Sequence, residues 1–275
     1  ENLMEAKACV LHEEKDLRIE NVPVAEMKDD QVLVRIGAGG ICGSDLHYYL
    51  HGGFGVVRVK QPIVLGHEVA GTVEAVGSKV TKVKAGDRIA LSPSRPCGKC
   101  KFCQAGEHQH CLDMWFYGSA MRTPHSQGAF RELIVAEEYQ CESVGDAISL
   151  GEAACCEPLS VALHAVKQAG NLAGKKVLVT GSGPIGALVV AAARYAGALE
   201  VVATDLHDAA LAKAVEMGAT GTVNVAAAPG LQTEQYTADK GYFDVAIECT
   251  GVGAVLKDIF PVLRPRGVIV QVGVS

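Results

Sequence analysis

Cys97, Cys100, Cys103 and Cys111 crowd into one short stretch, C-x2-C-x2-C-x7-C, inside PSRPCGKCKFCQAGEHQHC. Four thiolates at this spacing can surround one Zn2+ tetrahedrally with no help from the rest of the chain. The segment of about residues 92–115 is therefore expected to close on itself as a lobe. A site closed by four ligands leaves no position for a substrate, so its role is to fix a loop. Such a site carries net negative charge, which Arg95, Lys99 and Lys101 among the ligands would offset. A redox C-x-x-C pair would explain two of these cysteines and leave two over. A nucleic-acid zinc finger would need paired histidines and a basic helix, and neither is present.

The remaining composition narrows the class. The chain has 275 residues, 49% of them hydrophobic, enough for one large or two ordinary cores. Ten cysteines could staple a small secreted domain, but this chain is long and its N-terminus is charged rather than apolar. Reduced thiols and a cytoplasmic address are the expectation. Net charge is -6 with no basic stripe, so nucleic acid is not an expected partner. The most apolar run, Ile185 to Ala203, is interrupted by Arg194, Gly197 and Glu200. It reads as a buried helix followed by a buried strand, not a membrane span. Met4 is the expected natural start. The last residues, Val272 to Ser275, follow a strand whose edge would lie open, so the natural chain is expected to continue.

Secondary-structure signals change character near residue 151. Before it, short strands separated by Gly-rich turns suggest an antiparallel sandwich or barrel. Gln31–Ile36 alternates, with Val32, Val34 and Ile36 on one face. Val69–Val76, Asp87–Leu91 and Ala129–Val135 are further strand candidates. GEAACCEPLSVALHAVKQAG has apolar residues at helical spacing (Leu159, Ala162, Leu163, Val166) and predicts one long helix. Beyond it strand and helix alternate: Lys176–Thr180, Ile185–Ala196, Glu200–Thr204, Asp208–Met217, Phe243–Glu248 and Gly267–Val272. That alternation predicts an α/β domain with a doubly wound parallel sheet. The domains are expected at residues 1–155 and 156–275.

A second metal signal is spread along the chain. GICGSDLH carries Cys42, GHE carries His67 and Glu68, and EP carries Glu157. Together they read as an open zinc site, with Cys42, His67 and a carboxylate holding the metal and one position left for water or substrate. With one thiolate and one carboxylate Zn2+ is formally neutral. A second carboxylate would make a poorer Lewis acid, so one of Glu68 and Glu157 is expected to bind directly and the other through water. The sequence leaves open which. Asp45 is placed to orient His67. Cys155 and Cys156 are alternative ligands, expected as buried helix cysteines.

The cofactor signal is Gly181-Ser182-Gly183-Pro184-Ile185-Gly186, G-x-G-x-x-G between a clear strand and a clear helix. Gly181 makes the tight turn, Gly183 lets the backbone approach a pyrophosphate, and Gly186 lets the helix pack closely. The helix start at Pro184 and Ile185 favours phosphate charge. Asp205 ends the next strand, where a carboxylate accepts from a ribose 2′-OH and repels a 2′-phosphate. No Arg follows it, so NAD is favoured over NADP.

GGICGSDLHYY, PIVLGHEVAG, PSRPCGKCKFC, FYGSAM, EPLSVALHA, GPIGALVV and KGYFDV together resemble the zinc-dependent medium-chain dehydrogenases, the alcohol and sorbitol dehydrogenase family, over essentially the whole chain. The resemblance implies a GroES-like catalytic domain followed by a Rossmann domain, with the active site in the cleft between them and a further C-terminal part absent here. It implies two Zn2+ per chain, one catalytic and one structural, NAD as cofactor, and a homo-oligomer, dimer or tetramer. Cys42, His67 and Glu68 match the catalytic zinc ligands of the polyol-type enzymes. Glu157 stands where alcohol dehydrogenases have a second cysteine ligand. Ser44 and His47 fall at proton-relay positions, and Tyr48 and Phe116 near the polyol pocket. The implied reaction is oxidation of a secondary alcohol of a small sugar acid or polyol. L-idonate comes first, then sorbitol, xylitol and L-threonine. A sugar acid would need a cation, for which Arg122, His125 and Arg58 are candidates. The non-enzyme alternative is a zinc-stabilised NAD-binding protein without turnover.

Overall fold

The computed structural model describes residues 4–274; Glu1, Asn2 and Leu3, ahead of the expected start at Met4, and Ser275 lie outside the described residues. The chain divides into two compact units, Glu1–Glu157 and Pro158–Ser275.

In the first unit β1 (Glu5–Glu13) and β2 (Asp16–Pro23) form a hairpin closed at Glu14-Lys15, with Lys15 at φ 63°. No glycine marks that turn, and the sequence reading did not anticipate the hairpin. β3 (Gln31–Gly40) leads into helix α1 (Gly43–His51), and the short β4 (Ile63–Val64) precedes β5 (Glu68–Val76). β6 (Arg88–Leu91), β7 (Leu133–Glu137) and β8 (Cys141–Ser143) complete an antiparallel sheet in the order β7-β3-β5-β6-β8. The expected alternation in β3 holds: Val32 and Val34 are fully buried and Arg35 is exposed. They pack with Val69, Val73, Ile89 and Ile134. Each such side chain contributes about 1.5–3 kcal/mol on burial.

The strand expected at Ala129–Val135 starts only at Leu133. Ala129 and Phe130 instead donate their N–H groups to Gly66 O and Leu65 O, at 2.9 Å each. This stretch therefore straps the segment that carries His67.

The single long helix expected from residue 151 is two, α2 (Leu150–Ala154) and α3 (Cys156–Gln168). Pro158 has no N–H for the carbonyl of Ala154, and its ring would crowd it. It is tolerated in the first turn of a fresh helix, so the chain breaks at Cys155. That break leaves Cys155 and Cys156 exposed, against the expectation that they are buried.

In the second unit β9 (Lys176–Thr180), α4 (Pro184–Tyr195), β10 (Glu200–Asp205), α5 (Asp208–Glu216), β11 (Gly221–Asn224), β12 (Phe243–Glu248), α6 (Gly253–Ile259) and β13 (Leu263–Gln271) follow in order. Strand and helix alternate except between β11 and β12, where the helical segment is only the four residues Glu234–Thr237 and a short 3-10 turn. The sheet is wholly parallel, in the order β11-β10-β9-β12-β13. The middle residues of its central strands are apolar because helices cover both faces, while Thr180, Asp205 and Glu248 stand at their carboxyl ends. Val177, Val179, Val245 and Ile247 pack on one side with Val189 and Val190. Leu178, Val202, Phe243 and Ala246 pack on the other with Ile259. The strand order reverses between β9 and β12, the place where doubly wound sheets bind ligands. Among the described residues no helix is long and apolar enough to cross a membrane.

Candidate active site and cofactor pocket

Cys42, His67 and Glu68 come from separate elements and meet. One ligand atom from each lies within 4.8 Å of the others. Cys42 is the N-cap of α1 and half-buried; His67 and Glu68 are buried, at the start of β5. Two devices hold them. Asp45 reaches back from the first turn of α1 and accepts from the Cys42 N–H at 3.0 Å, while its other oxygen accepts from Gly66 N–H at 3.3 Å. It thus ties the Cys42 and His67 segments together. Its Oδ1 stands 3.9 Å from His67 Nδ1, an ion-pair distance rather than a hydrogen bond, so Asp45 acts on His67 mainly by charge and through the backbone. The second device is a missing side chain. Gly40 faces Glu68 across the β3–β5 pairing, and a Cβ on Gly40 would lie 2.3 Å from Glu68 Oε2. Sequence reasoning missed Gly40, because only the register shows what it faces.

The donor set suits zinc: one sulfur, one imidazole nitrogen and one carboxylate oxygen, buried and converging. Burial pushes the Cys42 thiol and the Asp45, Glu68 and Glu157 carboxyls up, and the charge on His67 pulls the three carboxyls back. A divalent cation among these groups would favour their charged forms. Glu157 lies in the first turn of α3, close enough for its carboxyl to feel His67, Glu68 and Asp45, but outside the tight three-residue group.

Ser44 hydrogen-bonds Cys42 and holds its thiol down against burial. His47, one turn along α1, is exposed, its ring 6.0 Å from His51 and 5.9 Å from Phe54. Phe116 packs beside His67, ring centroids 5.3 Å apart. Tyr48 is a core residue: 2% exposed, packed with Leu11, Ile63 and Leu65, its hydroxyl accepting from Ala120 N–H at 3.1 Å. Of the three candidate cations, Arg122 pairs with Asp113 and lies over the Trp115 ring at 4.3 Å. His125 is buried with both ring nitrogens in use. Nε2 accepts from Lys60 N–H at 2.9 Å, and Nδ1 donates to Arg122 O at 2.6 Å. Arg58 is exposed and donates to Val57 O.

The four sulfurs of Cys97, Cys100, Cys103 and Cys111 also converge within 4.8 Å. Backbone N–H groups point at them. Cys97 N–H and Asp113 N–H reach Cys111 Sγ at 3.2 and 3.3 Å. Such bonds favour thiolates. They lower Cys111, and bonds from the Cys103 and Leu112 backbone lower Cys100 to about 6. Arg95 leans 3.7 Å from Glu137, and Lys101 Nζ sits 4.9 Å over the Phe102 ring.

In the second unit the glycine loop follows β9 as expected. Gly181 has φ 82°, a conformation that favours glycine. Space around a Cβ at Gly183 is open, as a backbone that receives a ligand requires. A Cβ on Gly186 would strike Gly181 O at 1.8 Å, so it is the loop itself that excludes a side chain there. Asp205 Oδ2 accepts from Ser182 N–H at 2.8 Å and Oδ1 from His207 N–H at 2.9 Å. It braces the loop and still keeps lone pairs for a diol. Gly181, Asp205, Leu206, Thr250 and Val252 line part of a cavity of about 470 Å3 at this edge of the sheet.

Two family models match the chain, Alcohol dehydrogenase GroES-like domain over residues 28–146 and Zinc-binding dehydrogenase over residues 184–275. L-idonate 5-dehydrogenase (NAD(P)(+)) of Escherichia coli strain K12 is 40% identical over 272 residues, 99% of this chain and 78% of that protein. Sorbitol dehydrogenase of Bacillus subtilis strain 168 is 39% identical over 97% of this chain and 74% of its own. The crystal structure of L-idonate 5-dehydrogenase from E. coli matches with a TM-score of 0.94 at 39% identity, over 99% of this chain and 77% of that one. A zinc-binding dehydrogenase from Sinorhizobium meliloti, solved bound to NADP, matches with a TM-score of 0.87 at 34% identity, over 98% of this chain and 77% of that one. The first unit is GroES-like and the second Rossmann-type, and the chain belongs to the zinc-dependent medium-chain dehydrogenases, the alcohol and sorbitol dehydrogenase family.

Proposed function

We propose that this protein is an NAD-linked dehydrogenase that oxidises a secondary alcohol of a sugar acid or polyol, L-idonate to 5-keto-D-gluconate before others. The observation that carries this reading is the meeting of Cys42, His67 and Glu68 within 4.8 Å, in a chain 40% identical to an L-idonate 5-dehydrogenase. Residues 1–155 serve as the catalytic domain and residues 156–275 as the NAD-binding domain. When bound, Zn2+ supplies a Lewis acid that lowers the pKa of the substrate hydroxyl, and NAD+ supplies the hydride acceptor.

The chain's own residues do the rest. Cys42, His67 and Glu68 hold the metal and leave one position for substrate. Glu157, nearby but outside the group, takes its place through water. Ser44 receives the substrate proton, and His47, three residues along the same helical face, passes it to water. Phe116 forms an apolar wall beside His67. Asp205 accepts from the ribose diol and repels a 2′-phosphate, which favours NAD. Cys97, Cys100, Cys103 and Cys111 hold a second Zn2+, giving two per chain. The assembly is a homo-oligomer, and the setting cytoplasmic.

A neutral polyol such as sorbitol or xylitol is the second reading. One observation favours it: Arg122 is committed to Asp113 and Trp115, and His125 has no ring nitrogen to spare.

The test is reduction of NAD+ and of NADP+, followed by near-ultraviolet absorbance, against L-idonate, D-gluconate, sorbitol, xylitol and L-threonine, with zinc counted by atomic emission. Preference for L-idonate with two zincs supports the first reading, and preference for sorbitol or xylitol the second. Silence across the panel in a protein that holds two zincs and NAD+ would shift weight to a substrate outside the panel or to a binding role. Cys42→Ala is expected to abolish turnover and leave NADH binding intact; an active Cys42→Ala enzyme would sink the metal site.

A further inference from the structure

Glu248 ends β12 at the carboxyl edge of the parallel sheet and is fully buried, 0% exposed. Acidic side chains almost never go under completely without a partner. Among the described residues no cation pairs with it. Its partners are neutral donors. Oε1 accepts from Thr250 N–H at 2.6 Å, from the Thr250 hydroxyl, and from Thr180 Oγ1 at 3.4 Å. Oε2 accepts from Gly251 N–H at 3.1 Å and from Gln271 Nε2 at 2.6 Å.

Those donors belong to three separate pieces of chain. Thr180 ends β9 and leads into Gly181. Thr250 and Gly251 form the turn after β12. Gln271 ends β13. The Glu248 carbonyl adds bonds from Val272 N–H at 2.8 Å and Gly273 N–H at 3.0 Å. The backbones so joined nearly touch. A Cβ on Gly251 would lie 2.3 Å from Val274 O, and one on Gly273 would lie 2.0 Å from Gly251 N. Thr180, Gly181, Thr250 and Val252 line the 470 Å3 cavity; Glu248 and Gln271 are not among its lining residues.

We propose that Glu248 is a positioning residue for the dinucleotide: it fixes the cavity wall made by Thr180–Gly181 and Thr250–Val252. Cofactor affinity then depends on an acidic side chain outside the cavity lining. The inference rests on reading that cavity as the NAD site. A carboxylate suits the place because it only accepts, and five donors converge on it. An amide at 248 would turn N–H against the Gly251 N–H and Gln271. Gln271 could comply only by turning its own amide over, which gives up its 2.9 Å bond to Gly273 O.

Two variants of the zinc-loaded protein test this: Glu248→Gln, and Gln271→Ala at an exposed position. The readouts are the Kd for NADH by titration, KM for NAD+ against kcat, melting temperature and zinc content. Glu248→Gln is expected to raise Kd and KM roughly tenfold, the scale of one buried hydrogen bond to a charged group. Its kcat and zinc content should stay at the parent's level. Gln271→Ala should raise Kd by about threefold, the scale of one lost bond with its donor removed. A role in folding alone would lower the melting temperature and leave Kd in the folded variants at the parent's value, and that result overturns the proposal. If Glu248→Gln does not fold, Gln271→Ala decides alone: a raised Kd supports the proposal and an unchanged one overturns it. A parent protein that binds no NADH would instead overturn the NAD reading, and the inference with it.

Discussion

Gly40 has no side chain where Glu68 lays its carboxylate. The atom in the way is the far end of a flexible side chain, so Gly40→Ala should leave the fold intact and push Glu68 aside. Losing a group that only orients a metal ligand costs about 10–100-fold in metal affinity or activity, and displacing the ligand Glu68 itself should cost at least that. We expect Gly40→Ala to lose kcat/KM on that scale with little change in melting temperature; an unchanged kcat/KM would show that Glu68 does not need its place. Tyr117 shows a residue whose effect is confined to high pH. It is buried, donates to Gln140 Oε1 at 3.2 Å, and burial pushes its phenol up to about 12. An unfolded tyrosine ionises near 10. Between about 10 and 12 the unfolded chain gives up a proton that the folded chain keeps, so stability falls as pH rises through that window and is complete below it. Tyr117→Phe should flatten the fall in melting temperature above pH 10 relative to the parent; parallel curves would count against the burial argument. Neither residue was singled out beforehand. Ordinary patterns predict a glycine turn and a half-buried aromatic, and only register and packing give these two a task.

Helix α1 is short, and much of its value lies in its first turn. Asp45 caps it by accepting from Cys42 N–H and also anchors Gly66, just before His67. An N-cap interaction contributes about 1 kcal/mol, and a buried acceptor leaves its donors unsatisfied when removed. Asp45→Ala should therefore destabilise the protein by about 2 kcal/mol in urea melts and lower zinc retention; Asp45→Asn, which keeps one acceptor, should fall between. Loss of stability with zinc fully retained would confine Asp45 to capping. In the parallel sheet Phe243 is fully buried and stacks on Tyr236 with centroids 5.2 Å apart. Phe243→Ala should cost about 3–5 kcal/mol by leaving a cavity, measured by denaturant midpoint. At this scale sequence patterns did well where neighbours decide and poorly where they do not. Strand-helix alternation after residue 175 was readable where the middle of a strand is apolar over its own length, as in β9, β10 and β12; β11 and α6 were not anticipated. The long helix failed at Cys155 because one proline outweighs many good helix formers. Ala129–Val135 failed because its first residues bond to Leu65 and Gly66, distant in sequence.

Across the molecule, different forces hold different parts. The parallel sheet stands on apolar burial, whereas residues 97–111 contain only a four-residue helix and a three-residue 3-10 turn. Ser94–Arg95 pairs with Trp115–Phe116 at the base of the lobe, and beyond that pair little but a metal held by the four thiols would order it. Stripping zinc with a strong chelator should expose residues 92–115 to limited proteolysis, mapped by mass spectrometry, while NADH binding persists. A lobe that resists protease without metal would mean that packing alone holds it. The sequence by itself determined what local spacing can encode: the four-thiol lobe, the glycine loop with Asp205, the change from β-rich to alternating architecture, and membership of the dehydrogenase family. The first two depend on residues within about 25 positions of one another, so chain connectivity already brings them close; the last two are read from patterns and motifs that recur along the whole chain. The tertiary structure alone decided that Gly40 faces Glu68, that Asp45 joins the Cys42 and Gly66 segments, that Tyr48 is core, that Arg122 and His125 are committed elsewhere, and that Glu248 ties three strand ends together. These depend on register and packing between distant segments. A shift of one residue in any strand would turn every one of its side chains to the other face.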